Sequence, residues 1–376
     1  MSKKNINLLK LSINLNQELI IVSVLASVTI LLIFVIGNTF IGGFAKMVFS
    51  DSLIYFKMSF DPFQSSIAPY MYRLLTPLII FLLPLNHLLG FIFVNMTALF
   101  LTTVLFYYYL KKLDFNNIHA FLGVLFFLLA PTVIYTMYDI ALVDFTSFLF
   151  FLLAFYAILC KNDKLYLVSL VLGVLNKETI LLTLPLYLLI KLENEKLINA
   201  LKSTLLIILI PLILFISIRY YYGFTNYFSL STVKETLIYD LQIKSIYDLS
   251  NPYFSFNTLW ILSIYCIKYV KGNFLKKSLY LLPFIFLQVL IATDMFRALF
   301  IAFPIIIPIS LYLFKIKEEN LVLIFIILTL FILLSHIVLI KGYLASLVFL
   351  PLEFVVLSAL IIHYLNIKSI IKPLIS

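Results

Sequence analysis

The stretch Leu165-Tyr-Leu-Val-Ser-Leu-Val-Leu-Gly-Val-Leu-Asn176-Lys177-Glu178-Thr-Ile-Leu-Leu-Thr-Leu-Pro-Leu-Tyr-Leu-Leu-Ile190 is largely apolar on both sides of a charged centre. Read as one helix, it crosses a membrane once and inverts the side of every later loop. Lys268, Lys271, Lys276, Lys277, Lys315 and Lys317 then lie opposite the N-terminal lysines Lys3, Lys4 and Lys10. Read as two arms of about 12 residues, it returns the chain to the side it started from and keeps these lysines together. Cytoplasmic loops carry an excess of Lys and Arg, so the charges select the hairpin. Each arm reaches roughly 18 Å of a hydrocarbon core about 30 Å thick, which sets the Asn-Lys-Glu tip below the surface. Irregular backbone at that depth is tolerated only against protein or a water-filled cavity, so the external half is expected to be partly hollow and wet.

The rest of the chain agrees with a membrane setting. Of 376 residues 64% are hydrophobic and only 12% charged, with mean hydropathy +1.13, against roughly 45–50% apolar and about 25% charged in soluble domains. Letting each apolar run cross once gives spans near 18–41, 88–110, 117–136, 145–160, 165–176, 179–190, 202–219, 255–270, 278–293, 297–314, 321–340 and 344–364. The expectation is an all-α polytopic integral membrane protein of about twelve crossings (roughly 10–13), multi-pass in the cell membrane, with both termini cytoplasmic. On this path 18 of the 27 Lys and Arg residues fall on the terminal side and 9 on the other. The lysines before the first run mimic a signal peptide, but that run is too long and lacks a small-residue cleavage site, so it reads as a retained span. The formal charge of +10 is explained by lysines at span ends that meet anionic membrane lipids, and nucleic-acid binding is not expected. One transmembrane domain over 1–376, with no soluble domain, is expected.

Two external segments exceed what a connection needs, 42–87 and 220–254. In the first, Tyr72–Leu85 is apolar but short and broken by Pro77 and Pro84, which suits a re-entrant or surface-lying amphipathic helix. The second mixes charges with Tyr and Leu and reads as helix lying on the outer face.

Ionisable groups at depth are costly enough to need a reason. Asp51, Tyr55, Asp61, Arg73, Asp139, Asp144, Lys177, Glu178, Arg219, Asp294 and Arg297 gather on the outer side of this topology, with Glu353 set apart in a late span. Asp51 and Tyr55, at i and i+4, share a helix face; Asp51 is either a general base or a solvated loop acid or cap. Asp61, before Pro62, fits a turn better than a catalyst. Arg73 either grips a phosphate bidentately or anchors a helix at the headgroups. Asp139 and Asp144 flank the mouth of a span, Asp144 doubling as N-cap; capping explains one acid and not both. Lys177 and Glu178 either contact a ligand or neutralise buried charges such as Asp144. Asp294 and Arg297, at i and i+3, either pair locally or reach a ligand.

Several chemistries have no support. The four histidines form no metal or acyl-transfer pattern, and no nucleophile elbow, P-loop or dinucleotide-binding glycine motif occurs. Cys160 and Cys266 form neither a Cys-x-x-Cys pair nor a zinc set.

In order and placement, Asp51…Tyr55, Tyr72-Arg73-Leu-Leu-Thr-Pro77, Asp144 heading a Phe-rich helix, Gly173-Val-Leu-Asn-Lys177-Glu178-Thr179 and Asp294-Met-Phe-Arg297…Pro304 resemble the GT-C superfamily of membrane glycosyltransferases. The likeness covers about 18–310 as a catalytic core, with 311–376 as C-terminal helices. It implies a hexosyltransferase, mannosyltransferase-like, that uses a polyprenyl-phosphate-sugar donor and a glycan or lipid acceptor, in biosynthesis of a cell surface polysaccharide or related glycan. Asp51 would be the base, Arg73, Lys177 and Arg297 with Tyr55 would bind the donor phosphate, and Asp144, Asp139, Glu178 and Asp294 would be supporting acids. No Asp-x-Asp pair stands in the first loop, so an obligatory metal is not implied, although Asp51 with Asp144 could chelate Mg or Mn. The competing expectations are a transporter or flippase for lipid-linked sugars or another anionic solute, and a non-catalytic membrane subunit.

Overall fold

The computed structural model describes residues 15–40, 50–64, 67–223, 253–288, 295–316 and 330. Among these every regular element is helical. In chain order they are α1 (Leu15–Phe40), α2 (Ser50–Met58), α3 (Leu75–Leu82), α4 (His87–Lys112), α5 (Asn117–Leu128), α6 (Pro131–Tyr138), α7 (Asp144–Leu159), α8 (Asp163–Asn176), α9 (Leu184–Lys191), α10 (Leu197–Tyr222), α11 (Thr258–Cys266), α12 (Asn273–Ser278), α13 (Leu282–Leu287), α14 (Met295–Phe300) and α15 (Phe303–Ile316).

Among the described residues three helices are long and apolar enough to cross a membrane: α1 over Gln17–Val35, α4 and α10. At 1.5 Å per residue, the 26 residues of α4 or α10 span roughly 39 Å, beyond a 30 Å core. The expected span 117–136 is instead a bent pair, α5 and α6 meeting at 47°. Pro131 causes the break: it supplies no N–H to continue α5 and holds Ala130 extended, then starts α6 at its first position. The expected span 145–160 is α7, and 255–270 and 297–314 are likewise short, as Thr258–Tyr269 and as α14 with α15. The expected span 321–340 apart from Leu330, the expected span 344–364, Glu353, and most of the segment 220–254 lie outside the described residues. The coarse expectation therefore stands as an all-α membrane-embedded protein.

Lipid offers helices no hydrophobic reason to associate, so packing shape and polar contacts must hold them. Aromatic interlock does much of this. Phe303 meets Phe106 of α4 edge-on at 5.3 Å and Phe127 of α5 at 4.8 Å, while Phe300 meets Phe148 of α7 at 5.2 Å and stacks on Phe256 at 5.1 Å. Gly123 lets α5 approach closely, because a Cβ there would lie 2.5 Å from Leu110 and 2.9 Å from Leu311. By contrast, α10 buries only Ala200 and Pro211.

The stretch 163–191 is a hairpin, and its rungs can be followed from base to tip. Lys191 Nζ pairs with Asp163 Oδ2 at 2.7 Å. Tyr166 stacks on Tyr187 at 4.6 Å and bonds Thr183 at 2.9 Å. Near the tip, Gly173 brings the arms so close that a Cβ would stand 2.7 Å from Ile180. The returning arm starts as a 3-10 stretch, Glu178–Thr183, before α9.

Candidate functional site

Charged side chains from five separate segments, the hairpin tip among them, meet at that tip. The short helix α2 carries Asp51 in its first turn and Tyr55 one turn later on the same face. A 3-10 turn, Tyr70–Tyr72, is closed by Arg73 N donating to Tyr70 O, and it sets Arg73 just ahead of α3. Tyr70 Oη donates to Asp51 Oδ1 at 2.6 Å, and its ring meets Tyr55 edge-on at 5.4 Å. Arg73 Nη1 donates to Tyr55 Oη at 2.9 Å, and Nη2 reaches Glu178 Oε1 at 3.3 Å.

The tip separates its two charges by backbone shape. Lys177 is extended (φ −162°, ψ 124°) between α8 and the 3-10 stretch, so neighbouring side chains point to opposite sides. Glu178 goes to Arg73, and Lys177 Nζ goes to Asp144 Oδ1 at 2.8 Å. Asp144 was expected to cap α7, but Val143 holds the cap position without a side-chain cap bond, and Asp144 is the first helical residue. Its carboxylate favours the positive end of α7 and faces two cations, Lys177 and Arg297. Arg297, 8% exposed in its side chain, bridges the acids, with Nη2 3.2 Å from Asp51 Oδ2 and Nε 3.3 Å from Asp144 Oδ2.

Of the expected site residues, Asp51, Tyr55, Arg73, Asp144, Lys177, Glu178 and Arg297 are thus joined in a continuous set of contacts. Asp139 is fully buried at the C-terminal cap of α6, on the loop leading to Asp144. Asn95 of α4 latches that loop, donating to the carbonyls of Ile140 and Leu142 at 2.6 and 2.9 Å. Asp294 lies outside the described residues, so its i, i+3 pairing with Arg297 is not described. Arg219, in the last turn of α10, lies over Phe215 at 3.5 Å and Tyr72 at 4.4 Å.

Two groups escape the sequence reading. Tyr70 partners Asp51 across 19 residues, with no motif to announce it. Asn176, fully buried at the end of α8, is a hydrogen-bond hub. Its Oδ1 accepts from Thr76 at 2.6 Å and Thr146 at 3.1 Å, and its Nδ2 donates to Ser147 Oγ at 2.8 Å and Val143 O at 3.1 Å. A carbonyl can only accept, so the Val143 contact fixes which end of the amide is the NH₂. The sole local hint is a pair of hydroxyls, Thr146 and Ser147, in the first turn of a Phe-rich helix.

Arg73, Lys177 and Arg297 balance Asp51, Asp144 and Glu178 one for one, so these ion pairs are formally neutral. Burial pushes the Tyr55 phenol up to about 12, against the opposing pull of Arg73. Tyr70 moves up too, through burial and then its bond to Asp51. Both phenols stay protonated at neutral pH, Tyr70 as donor to Asp51. Arg73 Nε has no acceptor among the described residues. Between Asp51 and Asp144, the two acids that could chelate a divalent cation, the Arg297 guanidinium contacts both. Among the described residues no group of three or more His, Cys, Asp or Glu could hold a metal ion.

No family model matches this chain, and neither a curated protein nor a solved structure matches it.

Proposed function

We propose that this chain is a membrane glycosyltransferase of GT-C-like architecture, with about twelve crossings and cytoplasmic termini. On this reading it moves a sugar from a polyprenyl phosphate to a glycan or lipid acceptor on the external face of the cell membrane. The observation that carries the reading is the meeting of Asp51, Arg73, Asp144, Lys177, Glu178 and Arg297, drawn from segments up to 246 residues apart, at one hairpin tip. Charges are expensive to bury, and helix packing alone does not call for six of them.

In this chemistry the acceptor hydroxyl gives its proton to the Asp51 carboxylate as its oxygen bonds to the anomeric carbon. The bond from that carbon to the phosphate oxygen breaks, and the polyprenyl phosphate leaves with one more negative charge. Arg73, Lys177 and Arg297 would neutralise that charge, each exchanging a carboxylate partner for the phosphate. Tyr70 and Arg297 orient the base.

One observation favours a second reading. Each of the three cations already has a carboxylate partner, as a purely structural lock would require, and a non-catalytic subunit would need nothing more. A surface-glycan mass profile separates the two, taken from cells lacking the protein and complemented with wild type or Asp51→Asn at matched membrane levels. A glycan lost in the deletion strain, restored by wild type and not by the variant, is the expected result. Equal restoration by both removes Asp51 from the chemistry, and substrate movement without a covalent product would indicate a transporter or flippase.

A further inference from the structure

We infer that Asn176 is a positioning residue that holds the hairpin tip, and with it Lys177 and Glu178, in register with α3 and α7. A primary amide has two donor hydrogens and two acceptor lone pairs. Asn176 uses both ends of its amide: Oδ1 faces the hydroxyls of Thr76 and Thr146, and Nδ2 donates to Val143 O and Ser147 Oγ. The Thr76 and Thr146 hydroxyls also lie 2.8 Å apart, so their two hydrogens are shared among contacts that join three elements. Thr76 and Asn176 are fully buried, and Thr146 and Ser147 nearly so, so water does not compete for these bonds.

The placement gives the hub its leverage. Thr76 lies three residues after Arg73, Val143 directly precedes Asp144, and Asn176 directly precedes Lys177. One amide therefore ties together the backbones that present a member of each of the Arg73–Glu178 and Lys177–Asp144 pairs. The tip has extended backbone at Lys177, whose N–H donates to Gly173 O at 2.7 Å and whose carbonyl accepts from Ile180 N at 3.3 Å, so these backbone bonds all lie within the hairpin. The Asn176 bonds tie that tip to α3 and α7, which bonds within the hairpin cannot do.

The role is tested by cysteine reactivity in purified full-length protein, in a background with Cys160 and Cys266 replaced by serine and alanine. Single reporters are placed at Thr179 beside the tip, at exposed Lys164 near the base and at buried Ala154 in α7. In Asn176→Ala the maleimide reaction at Thr179→Cys should speed up about tenfold, a local opening of the tip, with Lys164→Cys unchanged and Ala154→Cys still protected. Thr76→Val, which removes one hydroxyl at constant shape, should shift Thr179→Cys in the same direction, and Thr76→Ser should restore the wild-type rate. An unchanged rate at Thr179→Cys in both Asn176→Ala and Thr76→Val overturns the proposal. Labelling of Ala154→Cys in both variants also overturns it, since Asn176 would then be a folding residue. If only Asn176→Ala exposes Ala154→Cys, the Thr76→Val and Thr76→Ser rates decide.

A second arm rests on the glycosyl-transfer reading: Asn176→Ala and Thr76→Val should fail to restore the glycan, and Thr76→Ser should restore it. If wild type itself restores no glycan, that reading fails while the labelling result stands. If Asn176→Ala opens the tip yet restores the glycan in full, register of the tip does not matter to the reaction and the positioning role is overturned.

Discussion

The two ends of one hairpin carry the same chemical groups in different surroundings. At the base, Lys191 lies 2.7 Å from Asp163 and 3.6 Å from Glu195, with side chains 22%, 45% and 30% exposed. At the tip, Lys177 lies 2.8 Å from Asp144, with side chains 11% and 2% exposed. The distances are alike and the energetics are not. Solvated pairs contribute about 0–1 kcal/mol, because each partner is nearly as content in water. Removing one partner of a buried pair costs about 3–5 kcal/mol, because the other charge is left stranded away from water. Ion-pair length therefore says little about what a residue is for, and burial says much more.

Asp144→Ala strands Lys177, leaves Arg297 with Asp51 alone and should have the largest effect, a loss of about 3–5 kcal/mol or failure to accumulate. Thermal unfolding in one fixed detergent, followed by reaction of the buried Cys266 thiol, reads it. A loss under about 1 kcal/mol would mean that the tip is as wet as the base and would break the contrast.

Gly173→Ala comes next. Its Cβ would meet the Ile180 side chain at 2.7 Å and the branch carbon itself at 2.9 Å, so the arms must part rather than a rotamer turn. Overpacking of this kind costs about 1–3 kcal/mol in the same assay. Because the close approach is just below the tip, the variant should also lower product formation at matched protein levels. Unchanged stability would show that the arms have slack there.

Asp163→Ala at the base should cost the least, about 0.2–1 kcal/mol. Raising the salt to about 1 M should erase that difference, since the screening length shrinks to about 3 Å, and should leave the Asp144→Ala difference largely in place. Equal salt sensitivity at both ends would contradict the burial contrast.

The hairpin was legible in the sequence because lysine placement constrains topology whatever the side chains later touch. The charged candidates were legible for a related reason: an ionisable group in an apolar run is rare enough to flag itself. Their partners were not. Arg297 reads locally as the i+3 neighbour of Asp294, yet the structure carries it to Asp51 and Asp144, and nothing in a run of residues encodes that meeting. Asp144 looks like a cap because Asp before a helix usually is one; two cations compete for it, and the cap falls to Val143. Asn176 was visible only as turn chemistry, since a neutral amide raises no alarm in a hydropathy trace. In span 117–136 the apolar run is legible but its 47° break is not, because a hydropathy trace does not register the donor that Pro131 lacks.

The contact between Arg297 and Asp51 also imposes an order in time. The two residues are 246 positions apart, and at about 5–20 residues per second a ribosome needs roughly 12–50 s to travel from one to the other. From residue 178 onward the nascent chain holds Asp51, Arg73, Asp144, Lys177 and Glu178, one positive charge short of balance. The last cation arrives only when α14 is made, so the cluster closes late, and a chain stalled or truncated before residue 297 keeps an unmatched carboxylate.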